Sequence, residues 1–312
     1  MTTFVTGGLG FIGSNFVISH LKKYPGDEIV ILDNHSYAAN GTNLNGYYED
    51  WRLNVKRADI REFQHLYELY RAYLPEITFH FAAESHVDNS ISGDDPFITT
   101  NIMGTHNILK CIKKCGGKLV HISTDEVYGS LGLTDPAFTE TTPYDPRNPY
   151  SATKAASDHL VRAYVNTHKI EAIVTNCSNN YGPRQHHEKF IPTIIRKAKA
   201  NEPIPVYGTG LNTRDWLYVE DHCDAILTAA YNFKSGERYN IGGGFEDTNL
   251  NMARMILDMM GKPRNLIEFV EDRKGHDFRY SMDSSKMYKE FNWIAKTKIH
   301  DGLIKTLEWY NA

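Results

Sequence analysis

The stretch FVTGGLGFIGSN, Phe4 to Asn15, limits the fold more than any other part of the chain. It follows a short apolar strand candidate and opens an apolar-periodic helix, all within the first 25 residues. It contains Gly8-x-Gly10-x-x-Gly13 and the overlapping Gly7-x-x-Gly10-x-x-Gly13. Glycines at these spacings permit a tight turn, close approach of the backbone to a pyrophosphate, and close packing of helix on strand. The phosphates then rest on the helix N-terminus, where free N–H groups point outward, beside Phe11 and Ile12. An acid follows at the matching distance: Asp33 closes EIVILD twenty residues after Gly13, and Asn34 comes next. A carboxylate there accepts both ribose hydroxyls and repels a 2′-phosphate. DNHSYAAN offers no Arg or Lys to take that phosphate, which points to NAD over NADP. A glycine-rich turn plus a surface aspartate would use the same residue types, but the strand–loop–helix context argues against it.

The first half of the chain alternates the same two patterns. Strands are expected at 2–6, 28–33, 77–82, 118–123 and 171–176, and helices near 11–23, 62–73, 97–115 and 150–168. Such alternation predicts right-handed βαβ units, hence an α/β, Rossmann-type doubly wound parallel sheet. After about residue 176 the pattern loosens. IPVYG, RYNIG and LIEFV mix with helices near 190–201, 219–232, 249–260 and 299–311. NNYGPRQHH and VYGTGLNTRD read as loops from their Gly, Pro, Asn and Asp content. The expected organisation is an NAD-binding domain over 1–176, with a returning segment near 219–243, and a smaller C-terminal α+β substrate-binding lobe over 177–312. Asp59 and Ile60 would flank an adenine. FAAES (Phe81, Ala82, Ala83, Glu84, Ser85) ends a strand with small residues that let a cofactor lie close, and Thr100 belongs to the same side.

NPYSATKAASDHLV sets Tyr150 and Lys154 at i, i+4, so on a helix they share a face. Of the 19 tyrosines this is the only one with a Lys four positions on. A phenol with pKa near 10 is a poor base at neutral pH. A nearby ammonium and an oxidised nicotinamide favour the phenolate, which can then take a hydroxyl proton. An exposed helix pair is the bland alternative, and the dinucleotide loop disfavours it. KLVHISTDEVYG poses the sharper question, because a buried strand candidate ends in Thr124, Asp125 and Glu126. A turn or helix cap would explain one acid. Oxidation of a hydroxyl needs neither. A dehydration uses both: once C4 of a sugar is a ketone, one carboxylate removes the C5 proton while a carboxylic acid protonates the departing C6 hydroxyl. Thr124 can hydrogen-bond the C4 oxygen.

TGGLGFIGSN, AAESHVD, HISTDEVYG, PYSATKAASDHLV, TNCSNNYGP, RDWLYVEDH, YNIGGG and GHDFRY occur in this order. The chain thereby resembles the dTDP-glucose 4,6-dehydratases of the extended short-chain dehydrogenase/reductase superfamily over nearly its whole length. The resemblance implies Asp125 as proton donor to the leaving hydroxyl and Glu126 as base at C5. It puts Thr124 and Tyr150 at the C4 oxygen, Lys154 beside the nicotinamide ribose, and Asn180 on the cofactor side. It also implies substrate contacts from Ser85, Asn179, Glu188, Lys189, Pro205, Tyr207, Arg214, Asn249, Asp272 and His276. Arg214 can fork onto a diphosphate. The chain departs from the family at Asn89, His186, His187, Lys274, Phe278 and Asn292, and its 129–139 loop is short. The departures at 186–187 and 274–278 flank the expected nucleotide site and leave dTDP against UDP open. Similar proteins imply a homodimer through the 97–115 and 150–168 helices.

Bulk properties remove other classes. The net charge of −4 leaves no basic surplus for nucleic acid. No apolar run is long enough to span a bilayer, and the start MTTFVTGG has no charged region followed by an apolar one, so the expected location is cytoplasmic. Cys111 and Cys115 lie one helical turn apart and His186 and His187 are adjacent, but neither pair has further ligands, and no metal is expected. A nucleotide-sugar 4-epimerase or decarboxylase would keep the loop, Tyr150 and Lys154 without a use for Asp125 beside Glu126. A non-catalytic NAD-sensing protein would have no need to keep Tyr150, Lys154 and both acids together. The Asp33 carboxylate predicts that a fluorescence titration gives markedly tighter binding of NAD than of NADP; equal affinities would remove that role from Asp33.

Overall fold

The computed structural model describes residues 1–311. Strands β1 to β6 are Thr2–Thr6, Glu28–Asp33, Leu53–Arg57, Ile77–His80, Lys118–Thr124 and Glu171–Cys177. Strands β7 to β12 are Asn179–Tyr181, Ile204–Tyr207, Thr213–Tyr218, Arg238–Ile241, Glu246–Thr248 and Ile267–Val270. Helices α1 to α6 are Phe11–Lys23, Phe63–Tyr73, Val87–Ser92, Asp95–Phe97, Thr105–Cys115 and Pro149–His168. Helices α7 to α11 are Phe190–Ala200, Val219–Ala230, Asn249–Met259, Ser285–Phe291 and Ile299–Asn311.

Seven parallel strands form the main sheet in the order β10-β6-β5-β4-β1-β2-β3. Strands β1, β2, β4, β5 and β6 are buried on both faces, as their Val- and Ile-rich runs require. One apolar core lies on each face. The first joins Phe16, Val17 and Phe79 to Ile226 of α8 and Tyr239 of β10. The second joins Phe4, Leu66, Ile108 and Leu119. A third core, around Ile191, Ile195, Val206, Trp216 and Ile256, fills the C-terminal lobe. There β11-β9-β7 and β12-β8 make two small sheets.

Strand order reverses beside β1, with β2 on one side and β4 on the other. Ligands bind at this switch point, beyond the strands' carboxyl ends. The glycine loop closes one wall of it. Gly7 takes φ +68°, a region that favours glycine. A Cβ on Gly13 would lie 2.2 Å from the Gly7 carbonyl oxygen. Helix α1 can therefore start directly against the end of β1.

Several expectations need correction. Strand β3 was not expected, because LNVKR alternates polar residues at the partly exposed sheet edge. The strand expected over 77–82 ends at His80. The helix expected over 97–115 is a π-helix over Ile98–Gly104 that continues as α5. NNYGPRQHH begins as strand β7, because three residues pair with β9, and VYGTGLNTRD includes the end of β8 and the start of β9. Helix α10, only seven residues long, was too short for its period to show. It ends on Asn292 at φ 53°, where the similar family usually has glycine; Asn is among the few residues that tolerate that conformation.

The Gly13 contact involves backbone that cannot yield cheaply. Gly13→Ala should lower the unfolding free energy by about 1–3 kcal/mol, read by urea denaturation. An unchanged midpoint would show that α1 is free to move off β1.

Candidate active site

A cleft of about 320 Å³ opens at the carboxyl ends of the central strands. One end is lined by Gly7, Gly10, Phe11, Ile12 and Gly13, with Asp33 and Asn34 from the end of β2. Ile60, Phe81, Ala82, Ala83, Ser85 and Thr100 form the facing wall. Asp33 is 6% exposed and accepts from the Leu9 and His35 N–H groups at 3.1 and 2.9 Å, which ties the acid to the loop it serves. Asp59 is turned aside; it pairs with Arg61 at 2.6 Å, and its neighbours Ala58 and Ile60 face the cleft instead. The first turn of α1 carries no acidic residue, so its N–H groups remain suited to an anion. An extended dinucleotide diphosphate fits this cradle.

Thr124, Asp125, Glu126, Tyr150, Lys154, Asn179, Asn180, Glu188 and Lys189 line the other end. Local structure explains why the acids meet there. β5 stops at Thr124, which caps a 3₁₀ turn over Asp125–Tyr128. Its hydroxyl accepts from the Glu126 N–H at 3.3 Å and donates to Asp125 Oδ1 at 3.1 Å. The bland and the sharp explanations of this stretch therefore coexist: a cap is present, and it aims both acids into the cleft. Across the cleft, Asn148 caps α6 in a reciprocal box with Ser151, followed by Pro149 at the first helical position. The same Asn148 donates to Glu126 Oε2 at 3.3 Å. Asn148 was missed as a site residue, although Asn-Pro before an apolar-periodic run is a visible helix-start signal.

Burial dominates the electrostatics. Asp125 is 2% exposed, and its Oδ2 has no hydrogen-bond partner among the described residues. Burial, then the neighbouring Glu126 and Asp215, push its carboxyl well above the ordinary range, which favours its protonated form. Burial also raises Glu126, opposed by the Asn148 hydrogen bond and the Arg214 charge. Two adjacent acids in unlike surroundings are thus separated into a protonated and a more readily ionised member. Tyr150 departs from expectation. Burial first, then the neighbouring Glu126, raise its phenol well above 10 rather than lowering it.

Lys154 Nζ is buried and donates to the Ile122 carbonyl at 2.8 Å. Behind it, buried Asp158 is held ionised against its burial by His121 at 3.2 Å and by the Ser123 and Tyr144 hydroxyls, each at 2.8 Å. Burial lowers the Lys154 ammonium, and the Asp158 charge opposes that shift. Asn180 is fixed by His222, whose Nδ1 lies 2.9 Å from its Oδ1.

The remaining expected residues lie on the C-terminal lobe. Arg214 on β9 donates to the carbonyls of Thr213 and Asp277 at 2.8 and 3.0 Å and lies 4.4 Å from the Tyr280 ring centroid. Within hydrogen-bonding distance it has no carboxylate partner among the described residues, which leaves its charge for an anion. His276 meets Asp272 at 2.7 Å and faces the Tyr207 ring at 6.2 Å. Lys189 donates to the Ser85 carbonyl at 3.0 Å, bridging the lobes. Pro205 and Tyr207 lie on β8, and Asn249 begins α9. Among the described residues no group of three His, Cys, Asp or Glu is placed to hold a metal, and no helix is long and apolar enough to cross a membrane.

A family model described as GDP-mannose 4,6 dehydratase matches residues 4–306. The dTDP-glucose 4,6-dehydratase of Neisseria gonorrhoeae is 44% identical over 327 residues, covering 98% of this chain and 94% of that protein. The Streptomyces venezuelae dTDP-glucose 4,6-dehydratase, solved with NAD bound, superimposes with a TM-score of 0.97 at 42% identity, covering 100% of this chain and 97% of that one. A Thermotoga maritima UDP-glucose 4-epimerase shares the fold at TM-score 0.92 and 26% identity, covering 100% of this chain and 99% of that one.

Asp215, missed by sequence reasoning, supplies a pH test. Burial pushes its carboxyl up to about 7, although the Gly243 N–H donates to it at 3.1 Å. Its folded pKa lies above the unfolded value of about 3.9. Its contribution to stability is therefore fully present below pH ~4 and lost as pH rises through about 7. Asp215→Asn should flatten that decline, so the variant gains Tm relative to the parent between pH 4.5 and 8. A constant Tm difference across this range would place the Asp215 pKa at its ordinary value.

Proposed function

The chain belongs to the dTDP-glucose 4,6-dehydratase family, and from that premise we propose that it converts dTDP-glucose to dTDP-4-keto-6-deoxyglucose with recycled NAD. The observation that carries this reading is the buried Asp125–Glu126 pair lining one cleft with Tyr150 and Lys154, with burial raising the Asp125 carboxyl well above the ordinary range. NAD would lie on Gly7, Gly10 and Gly13, with its adenosine ribose at Asp33 and its nicotinamide end near Tyr150 and Lys154. When bound there, it supplies a hydride acceptor for C4 and a hydride donor for C6.

The chain's own groups handle protons. Tyr150, assisted by Thr124, takes the C4 hydroxyl proton. The Lys154 ammonium, lowered by burial but supported by the Asp158 charge, stabilises the phenolate that this step needs. Glu126 removes the C5 proton, acidified by the C4 ketone. Asp125 protonates the C6 oxygen as water leaves. Arg214 takes the diphosphate, and Asn179, Glu188, Lys189, Asn249 and His276 close around the nucleotide sugar with Ser85, Pro205, Tyr207 and Asp272. Residues 1–176 with the 219–243 return serve the cofactor, and 177–312 the nucleotide sugar. The π-helix, packed beside α6, carries exposed Ile98 and Met103, 42% and 50% accessible, on a face suited to a second copy of this chain.

Purified protein given dTDP-glucose should form a product lighter by one water, without added NAD, and faster than with UDP-glucose. Asp125→Asn and Glu126→Gln should each lower that rate by about 10²–10⁴-fold. An unchanged mass with altered sugar configuration by NMR would make the protein an epimerase.

A further inference from the structure

The motif GHDFRY ends in Tyr280, a buried residue that takes no part in the proton transfers. Its ring lies against Arg214, with the guanidinium carbon 4.4 Å from the ring centroid. The Tyr280 hydroxyl donates to Asp277 Oδ2 at 2.5 Å. The other end of Asp277 holds Arg214 directly. Its main-chain carbonyl accepts from Arg214 Nη2 at 3.0 Å and from Asn212 Nδ2 at 3.2 Å. The Tyr280 N–H donates to the carbonyl of Thr213, the residue before Arg214, at 3.1 Å. Tyr280 also belongs to one buried cluster with Val127 and Tyr128, which lie on the turn that carries Asp125 and Glu126. The side chain thus ties the arginine to the part of the fold that presents the acids.

We propose that Tyr280, clamped by Asp277, is a positioning residue that holds the Arg214 guanidinium ready for the diphosphate of the nucleotide sugar. The inference rests on the dehydratase reading. A guanidinium carries five N–H donors in a planar fork. Three hydrogen bonds go to carbonyls: from Nη1 to Thr213 at 2.8 Å and Phe278 at 3.4 Å, and from Nη2 to Asp277. Two donors are left for phosphate oxygens, which arginine recognises with paired parallel bonds. A carboxylate partner would fix the arginine too, but it would offset its charge. Neutral carbonyls and a ring face hold the group and leave the charge in place. Ordering the side chain beforehand also removes a cost that binding would otherwise carry. An ordinary core tyrosine needs only some acceptor for its hydroxyl, and a buried carboxylate is a costly one. Asp277 is 3% exposed, its Oδ1 has no hydrogen-bond partner among the described residues, and Arg147 Nε stands 3.8 Å from it. Holding the ring against Arg214 gives that costly placement a use.

The test is a double-mutant cycle on the full chain loaded with NAD, titrated calorimetrically with dTDP and with UDP. Tyr280→Leu should weaken the tighter of the two about 10-fold and leave the affinity for NAD unchanged. In an Arg214→Met background the same change should cost less than about twofold, because the group that Tyr280 serves is gone. Equal costs in the two backgrounds overturn the positioning role. So does an Arg214→Met variant that binds the diphosphate as tightly as the parent. A parent that binds neither dTDP nor UDP overturns the dehydratase reading, and the proposal with it. If Tyr280→Leu fails to fold, an isosteric series decides. Tyr280→Phe is followed by replacement of the same residue with singly and then triply fluorinated phenylalanine, which draws negative charge from the ring face. Diphosphate affinity should fall at each step of fluorination, since the guanidinium is attracted by that charge. A flat series overturns the proposal.

Discussion

Two carboxyl groups buried side by side at the end of a central strand are unfavourable, and much of the surrounding structure answers that problem. Removing charge from water costs several kcal/mol per ion unless it is paired or neutralised. This site uses both remedies. Asp125 stays neutral, with the Thr124 hydroxyl on one oxygen. Glu126 receives Asn148 and feels Arg214. One layer deeper, burial lowers the Lys154 ammonium and Asp158, one turn along α6, opposes that shift, while His121, Ser123 and Tyr144 hold Asp158 ionised. The chain of compensation reaches from the cleft through α6 to its packing on β5 and β6.

The sheet order makes this arrangement possible. β5 and β6 pair over seven residues, so Thr124 stands opposite Cys177 and the following turn opens onto the lobe that carries Arg214. β4 and β1 end beside the glycine loop on the other side of the same cleft. One edge of one sheet thus presents a dinucleotide cradle and an acid pair within reach of each other. A longer turn after β5, or a Cβ on Gly13, would separate them.

Features governed by local chemistry were legible in the sequence. Strands buried on both faces announce themselves as apolar runs, and the glycine loop with Asp33 needs only spacing. Features set by distant partners were not. β3 exists because β2 offers it an edge, and β7 because β9 does; neither LNVKR nor NNY carries that information. Asp59 looked like a cofactor neighbour, but Arg61, two residues on, claims it. The Tyr150 phenol followed the same rule in reverse. Its helix partner Lys154 was visible at i+4, whereas the acids that raise it come from another element and matter only because the site is dry. Asp215 sat unnoticed inside RDWLYVEDH, since nothing in a string of letters shows that a carboxylate faces three backbone N–H groups and a second acid.

The fold alone would not have chosen the reaction. A glycine loop, a Tyr–Lys helix and a seven-stranded parallel sheet serve epimerases equally well. What distinguishes this chain is the unlike surroundings of two consecutive residues. Asp125 leaves its Oδ2 without a hydrogen-bond partner, whereas Glu126 receives a hydrogen bond from the Asn148 amide. Had both been given an amide donor, both would ionise more readily, and neither could protonate a leaving hydroxyl. Had both faced apolar side chains, both would stay neutral, and C5 would keep its proton. A 3₁₀ turn turns successive side chains by about one third of a circle, which is enough to send neighbours into different environments. The secondary structure that follows β5 is therefore part of the chemistry.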